Sequence, residues 1–268
     1  MKPWKKYRVD SAADADLSAY DPDETGGFRD KEDANAELIS HRDKLVRLQD
    51  VLYAEGKHAL LVVLQAMDGG GKDGTIKHIF SGVNPQGCAV SAFKVPTEQE
   101  LKHDFLWRVH QRTPALGMIG IFNRSHYEDV LVVRIHQRLS KEQLKERFRA
   151  INEFEETLAA NGTTLLKFYL HISKEEQRRR LQRRLEDSRR RWKFTESDFK
   201  ERRYWDDYRK AYEDVFEHCS KKCAPWYIIP ANKKWFRNVT ISQIIVHSLE
   251  QLKLKYPEPA LSNPPHFK

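Results

Sequence analysis

Nothing in the 268 residues approaches the ~18-residue apolar run that a membrane-crossing helix requires. Residues 1–10 carry charge with no apolar stretch behind them, so no secretory leader is expected. Cysteine is scarce. Cys88, Cys219 and Cys223 are the full set, and no second Cys or His pair joins Cys219 and Cys223 to complete a zinc site. Three reduced, structural cysteines in a cytoplasmic protein are therefore expected. Internal repeats and low-complexity linkers are also missing, which leaves one large domain or two small ones.

Charge is abundant. Charged residues make up 32% of the chain and the formal net charge is +8, with pI about 9.2. A surplus of that size favours a polyanionic partner: nucleic acid, acidic lipid or a chain of phosphates.

Strand and helix signals alternate along the chain. Residues 1–30 read as an irregular arm, with turn residues at 21–27. Over 31–55, Leu38, Leu45, Leu48 and Leu52 recur at helical spacing. Residues 59–65, ALLVVLQ, form a short continuous apolar run, as a strand buried on both faces does. Further strands are expected at 89–95, 117–122, 163–170 and 225–229. Helices are expected at 75–82, 97–111, 140–160, from 173 onward and at 233–255. Thr97 with Glu100 reads as a capping box for the second of these. The alternation implies a parallel sheet with helices on both faces, a three-layer α/β/α sandwich. Residues 258–268, rich in proline, read as a surface tail.

The most informative segment runs from Gln65 to Thr75 and contains Gly69-Gly70-Gly71-Lys72-Asp73-Gly74. It lies between the buried strand and a helix, where a phosphate-binding loop belongs. Consecutive glycines let backbone N–H groups turn toward phosphate oxygens, the helix N-terminus adds its dipole, and Lys72 adds a mobile charge. Two positions depart from G-x-x-x-x-G-K-[ST]: Ala66 replaces the first glycine and Asp73 replaces the hydroxyl residue. A carboxylate at 73, with a second at Asp68, can hold Mg²⁺ but repels bare phosphate, so strict metal dependence is expected. Gly69, Gly70, Gly71, Lys72, Asp73, Gly74, Thr75 and Lys77 are the candidate phosphate-binding residues, and Asp68 and Asp73 the candidate metal ligands.

The strand at 117–122 leads into Asn123-Arg124-Ser125-His126-Tyr127-Glu128-Asp129. Asn123 can ligate or hydrogen-bond without charge. Arg124 can clamp phosphate oxygens bidentately, and Glu128 follows one helical turn later. Asn123, Arg124 and Glu128 are the candidate nucleotide contacts. Asp129 reads as a favourable charge at a helix start. From Lys174 to Lys193 there are ten Lys or Arg against four Asp or Glu, +6 in one stretch. Its arginines cannot share one helix face, so some are plain solvated charge. A charged segment between helices suits a lid at about 174–205 that closes over phosphates and excludes water.

These residues resemble the polyphosphate kinase 2 family over about 35–255. The resemblance rests on MDGGGKDGT at 67–75, FNRSHYEDV at 122–130 and RWKFTESD at 191–198. It implies a P-loop kinase-like core with an α-helical lid, and Mg²⁺-dependent, reversible transfer between polyphosphate and nucleotides, with Mn²⁺ as a substitute. It also implies that Asp68 binds the metal, that Lys72 holds the transferred phosphates and that Arg124 and Arg191 neutralise the transition state. Arg134 and Lys193 would lie along the polyphosphate path, for which Lys77, His78 and Lys94 are further candidates. Many members carry Asp-Arg-Ser-Trp-Tyr-Asn where this chain has Asn123 to Glu128. The Asn and Glu form looks like the branch that phosphorylates both AMP and ADP, and with no Asp at 123 it implies that Glu128 either binds the metal or orients the acceptor phosphate. The expected partners are polyphosphate and adenine or guanine nucleotides, in a homo-oligomer (dimer or tetramer), with no nucleic acid and no membrane.

Two rivals share parts of this pattern. An ATP-dependent nucleoside monophosphate kinase would use the same loop and lid arginines, but Asp73 in place of a hydroxyl argues against it. A nucleic-acid binder would use Trp192, Tyr204 and Trp205 as stacking platforms among arginines, but has no need of Gly71-Lys72.

Overall fold

The computed structural model describes residues 3–137, 139–189, 191–193 and 196–258. Helix α1 spans Lys31–Glu55. Asp30 caps it by accepting from the Glu32 and Asp33 amides, and Gly56, in the left-handed region, ends it. Strand β1 follows at Ala59–Gln65, buried at every position. Next come α2 (Lys72–Ile79), β2 (Cys88–Ala92), α3 (Trp107–His110) and β3 (Ile119–Asn123). The second half holds α4 (Glu128–Gln137), α5 (Lys141–Ala160), β4 (Thr163–His171), α6 (Lys174–Glu186), α7 (Glu196–Glu201), α8 (Trp205–Cys219), β5 (Trp226–Pro230) and α9 (Lys234–Gln251).

The five strands form one parallel sheet in the order β2-β3-β1-β4-β5. The fold is thus the α/β/α sandwich expected from the alternation. Two cores lie on opposite faces of the sheet, and β1 feeds both by period two. Leu60, Val62 and Leu64 join the core with α1 and α9, while Leu61 and Val63 join the one with α5 and α8. Strand β1 sits between β3 and β4, where the strand order reverses. The crevice at the carboxyl ends of these strands is where such sheets bind ligands. The cysteines are free thiols, and burial pushes Cys219 up to about 12.

Two expectations need correction. Residues 3–20 do not hang off as an arm: Trp4, Tyr7, Val9, Ala15 and Leu17 are buried, and Val9 donates to the Trp226 carbonyl along the outer edge of β5. Their spacing follows no helix or strand period, so only tertiary packing reveals their burial. The helix expected at 97–111 is broken. Thr97 and Glu100 do exchange their capping bonds, but only one short turn follows. Asp104 then accepts from the Leu106 amide and starts the separate short helix α3. The last ten residues, 259–268, lie outside the described residues.

Candidate active site

The loop from β1 to α2 is built so that only glycine fits at its turn. A Cβ on Gly70 would lie 2.4 Å from the Ala66 methyl, and one on Gly71 would lie 2.3 Å from the Arg237 guanidinium. The loop's carbonyls are held from behind. Gly69 and Gly70 accept from Arg180 at 3.2 and 2.9 Å, Gly70 also from Arg237 at 3.3 Å, and Asp68 from Gln177 at 2.9 Å. Arg180 also grips the Ala231 and Asn232 carbonyls beyond β5. Pinning the carbonyls away leaves the mouth to the unpaired first-turn N–H groups of α2. Arg237 is almost fully buried. Burial first, and then the neighbouring Arg180, push it down to about 9. Two guanidinium groups under one peptide add positive potential beneath a site meant for anions.

Lys72 is 9% exposed and donates to the Ala66 carbonyl at 3.2 Å. Burial and the nearby Arg124 lower its pKa from 10.5 to about 8, against the pull of Asp68, Glu128 and Asp73. It is a buried ammonium whose hydrogen-bonding capacity is mostly unspent.

Arg124 closes the other side of the mouth. Its φ of 63° is in the left-handed region, uncommon for a residue with a Cβ. Its amide is tied to the Leu64 carbonyl at the end of β1. The guanidinium bridges Asp68 at 2.6 Å and Glu128 at 2.9 Å. Burial opposes its charge, but Glu128 and Asp68 more than offset this and raise its pKa. Strain of this kind survives only where neighbours over-determine the conformation, and here they do. Gln65 donates to Ser125, whose hydroxyl accepts from the Tyr127 amide. Behind the turn, Lys167 donates to Tyr127 Oη at 2.8 Å, Glu155 at 2.5 Å and the Cys219 carbonyl at 2.7 Å, all fully buried. Tyr127 and His126 also bond Glu155. Burial raises the Glu155 pKa, but Lys167 and His126 outweigh it and the group stays below its ordinary value.

Beside Arg124 opens a pocket whose far wall is aromatic. Trp205, Tyr208 and Tyr212 of α8 line it, together with Arg202, Gln177 and Glu201. Tyr208 donates to Glu201 at 2.7 Å, and Arg202 donates to Gln177 at 2.8 Å. The sequence reading missed these residues, assigning Trp205 only to the nucleic-acid rival. Their signal was present: positions 205, 208 and 212 fall on one helical face. Arg180 was lost among its arginine neighbours. Arg237 was missed too, although a lone arginine within the apolar run of α9 is a detectable anomaly.

The other candidates divide. Asp68, Lys72, Arg124 and Glu128 gather around the mouth. Asp73 accepts from Asn123 at 2.9 Å, so Asn123 ties β3 to α2. The Thr75 hydroxyl turns back to the Gly71 carbonyl and shapes the loop. Lys77 is exposed on α2. Next to it, burial and then Arg237, Lys77, Arg42 and Lys234 lower the His78 pKa, which marks a dense cationic face. Arg134 is paired with Asp214 of α8 at 2.6 Å, away from the loop. Asp129 is half of a helix-start contact with Arg147. Arg191 is exposed and donates to the Leu185 carbonyl, not to the loop. The Lys193 side chain, with Phe194 and Thr195, lies outside the described residues. Gln177 and Arg180 of α6, within the segment expected to form a lid, are docked against the loop.

Among the described residues no three His, Cys, Asp or Glu side chains could hold a metal ion by themselves. Mg²⁺ needs only one or two carboxylates when phosphates and water complete its shell. Asp68 and Asp73, hard oxygen donors flanking the loop, fit an ion that arrives with phosphate.

Residues 28–257 match the family model described as Polyphosphate kinase 2. The chain is 54% identical over 256 residues to the AMP/ADP-polyphosphate phosphotransferase of Meiothermus ruber, covering 95% of this chain and 96% of the other. It is 42% identical over 266 residues to the ADP-polyphosphate phosphotransferase of Rhodopseudomonas palustris, covering 95% and 92%. Among solved structures, Polyphosphate Kinase 2 from Arthrobacter aurescens superposes with a TM-score of 0.94 at 42% identity, over 98% of this chain and 94% of that one. No helix among the described residues is long and apolar enough to cross a membrane.

Proposed function

The chain belongs to the polyphosphate kinase 2 family, and from that premise we propose that it is a phosphotransferase moving phosphoryl groups reversibly between inorganic polyphosphate and AMP or ADP. One observation carries the reading: Lys72 and the Asp68–Arg124–Glu128 chain face one mouth, with an aromatic pocket beside it. The loop N–H groups and Lys72 hold the donor's terminal phosphates. Arg124 keeps its bond to Glu128, exchanges Asp68 for phosphate oxygens and neutralises charge as it develops. The acceptor's terminal phosphate is itself an anionic nucleophile, so no strong general base is needed. Glu128 orients that acceptor by holding Arg124, and the α8 aromatics give its base a surface to stack on.

Mg²⁺, or Mn²⁺ in its place, supplies charge neutralisation between the phosphates when bound, with Asp68 and Asp73 as its protein ligands. The basic face around Lys77 and His78 carries the rest of the polyphosphate chain. Arg191 belongs to a lid and reaches the phosphates when it closes, and Lys193 is assigned to the same segment by the family resemblance. Adenine or guanine acceptors, a homo-oligomer and a cytoplasmic location complete the proposal.

Acceptance of AMP as well as ADP is supported by Asn123 and Glu128 and by the name of the Meiothermus relative. Product analysis with AMP or ADP, Mg²⁺ and polyphosphate of defined length tests it. ADP followed by ATP is expected from AMP. Failure with AMP but success with ADP would restrict the acceptor. Glu128→Ala should depress turnover of both nucleotides, and unchanged turnover removes Glu128 from the site.

A further inference from the structure

Arg237, in the first turn of α9, is a buried cation without an acid to balance it. Its Nε and Nη2 donate to the Asn238 side-chain oxygen at 3.1 and 2.8 Å, and its Nη1 to the Gly70 carbonyl at 3.3 Å. Both acceptors are neutral. Among the described residues Arg237 meets no carboxylate, and its charged neighbour is Arg180, of like sign. Its guanidinium also lies under the first turn of α2, where a Cβ on Gly71 or Gly74 would meet it at 2.3 or 3.8 Å. Helix N-termini disfavour positive charge. Burial, a like-charged neighbour and two helix starts thus all oppose this cation in the free enzyme.

Arg180 is different. It is paired with Glu176 at 2.8 Å and binds the Ala231 and Asn232 carbonyls, so it joins α6 and the end of β5 to the loop. What the two arginines share is the Gly70 carbonyl, which accepts from Arg180 at 2.9 Å and from Arg237 at 3.3 Å. A peptide between two glycines flips at little steric cost, so its direction has to be imposed. A trans peptide aims its N–H opposite to its C=O. Holding the Gly70 carbonyl down therefore turns the Gly71 N–H the other way, and that N–H has no acceptor among the described residues. Two charged donors on the carbonyl also polarise the peptide and strengthen its N–H as a donor.

We propose that Arg237 is a positioning residue for the phosphoryl donor. Through the Gly70 carbonyl it fixes the Gly71 N–H toward the donor's terminal phosphate, and the bound polyanion supplies the negative charge that the fold withholds from it. This rests on polyphosphate being the donor. It places Arg237 on the donor side alone, since its hydrogen bonds reach the loop and Asn238 and none reaches Arg124, Glu128 or the aromatic pocket.

The test compares Arg237→Met and Arg237→Lys with wild type in the full chain. Calorimetric titration with tripolyphosphate and Mg²⁺, without acceptor, should give Arg237→Met a Kd about tenfold higher at unchanged stoichiometry, the size of one lost charge-assisted bond. In turnover its kcat/KM for polyphosphate should fall about tenfold to a hundredfold, as for a misplaced group, with KM for AMP unchanged. Arg237→Lys keeps a charge under the peptide without the fork and should lie between the two. A merely structural role gives a different pattern: fewer binding sites per chain and a lower kcat, with Kd and both KM values unchanged. That pattern overturns the proposal. If Arg237→Met does not fold, Arg237→Lys decides: a Kd raised about threefold or more supports the proposal, and Kd and kcat/KM equal to wild type overturn it. Wild-type turnover from polyphosphate checks the donor reading separately. If wild type uses ATP instead, that reading fails, and Arg237 is judged by the same ratios measured with ATP and Mg²⁺.

Discussion

Two lysines are buried among the described residues, and their surroundings differ. Lys167, behind the β3–α4 turn, has three acceptors for its three N–H groups: a carboxylate, a phenol oxygen and a backbone carbonyl. Lys72, in the phosphate loop, has one backbone carbonyl. Lys167 is complete within the fold, whereas Lys72 has one acceptor among the described residues and, in our proposal, is completed by phosphate. A buried charge that the protein leaves under-coordinated marks where an anion belongs. A buried charge that the protein fully satisfies marks a structural joint, and here that joint holds the turn carrying Arg124.

Substitution sharpens the contrast. The largest effect is expected from Lys167→Met, which strands Glu155 as an uncompensated buried charge and costs about 3–5 kcal/mol. Urea unfolding measures it, and the folded fraction should retain activity at low temperature. Lys72→Met should do the reverse. Activity with saturating polyphosphate should fall about 10²–10³-fold, as when one preorganised donor to developing charge is removed. Stability should hold or rise, because a desolvated charge is deleted. If Lys72→Met unfolds the protein and Lys167→Met leaves it stable, the assignment of the two lysines is reversed.

Arg124→Lys tests the same distinction with charge conserved. A lysine cannot span Asp68 and Glu128 with a rigid fork. A loss of about tenfold to a hundredfold in kcat/KM is expected, from misplacement rather than lost charge. Equal activity in Arg124→Lys means that the bidentate geometry is not used.

The smallest expected effect is the pH response of Lys72. Its folded-state pKa of about 8 lies below the ordinary 10.5. Between those values the unfolded chain holds a proton that the folded chain lacks, so the penalty for burying the Lys72 charge is relieved, and stability grows, as pH rises through that window. Its binding function has the opposite sign. Above about pH 8 the free enzyme loses the charge, so KM for polyphosphate should rise there while kcat changes less. Binding near pH 8 should take up protons, measurable by calorimetry in two buffers of different ionisation enthalpy. Lys72→Met should abolish that uptake.

The same contrast explains what could be read from the chain. The loop was legible because its signals are local: a continuous apolar strand, three glycines, a lysine and a helix start. Arg124 and Glu128 were legible because one helical turn separates them. The supports were not. Arg180 has the same sequence surroundings as Arg178 and Arg179, yet it alone of the three is buried against the loop. Lys167 and Glu155 lie on different elements, and nothing local announces that they meet. Trp4 and Tyr7 follow no period, so their packing against α9 and β5 came only with the fold. Charge density marks exposed and anchoring arginines alike, so it could not separate Arg180 from its neighbours. Arg134 was placed on the phosphate path by resemblance, whereas its side chain is committed to Asp214.

The central claim is that polyphosphate is the phosphoryl donor at the Lys72 loop. Incubating the enzyme with AMP, Mg²⁺ and equal phosphate concentrations of radiolabelled polyphosphate and unlabelled ATP, then repeating with the labels exchanged, tests it most directly. Label should enter the β-phosphate of ADP from polyphosphate, and this transfer should be lost in Lys72→Met. Label entering ADP from the γ-phosphate of ATP, with none from polyphosphate, would contradict the account.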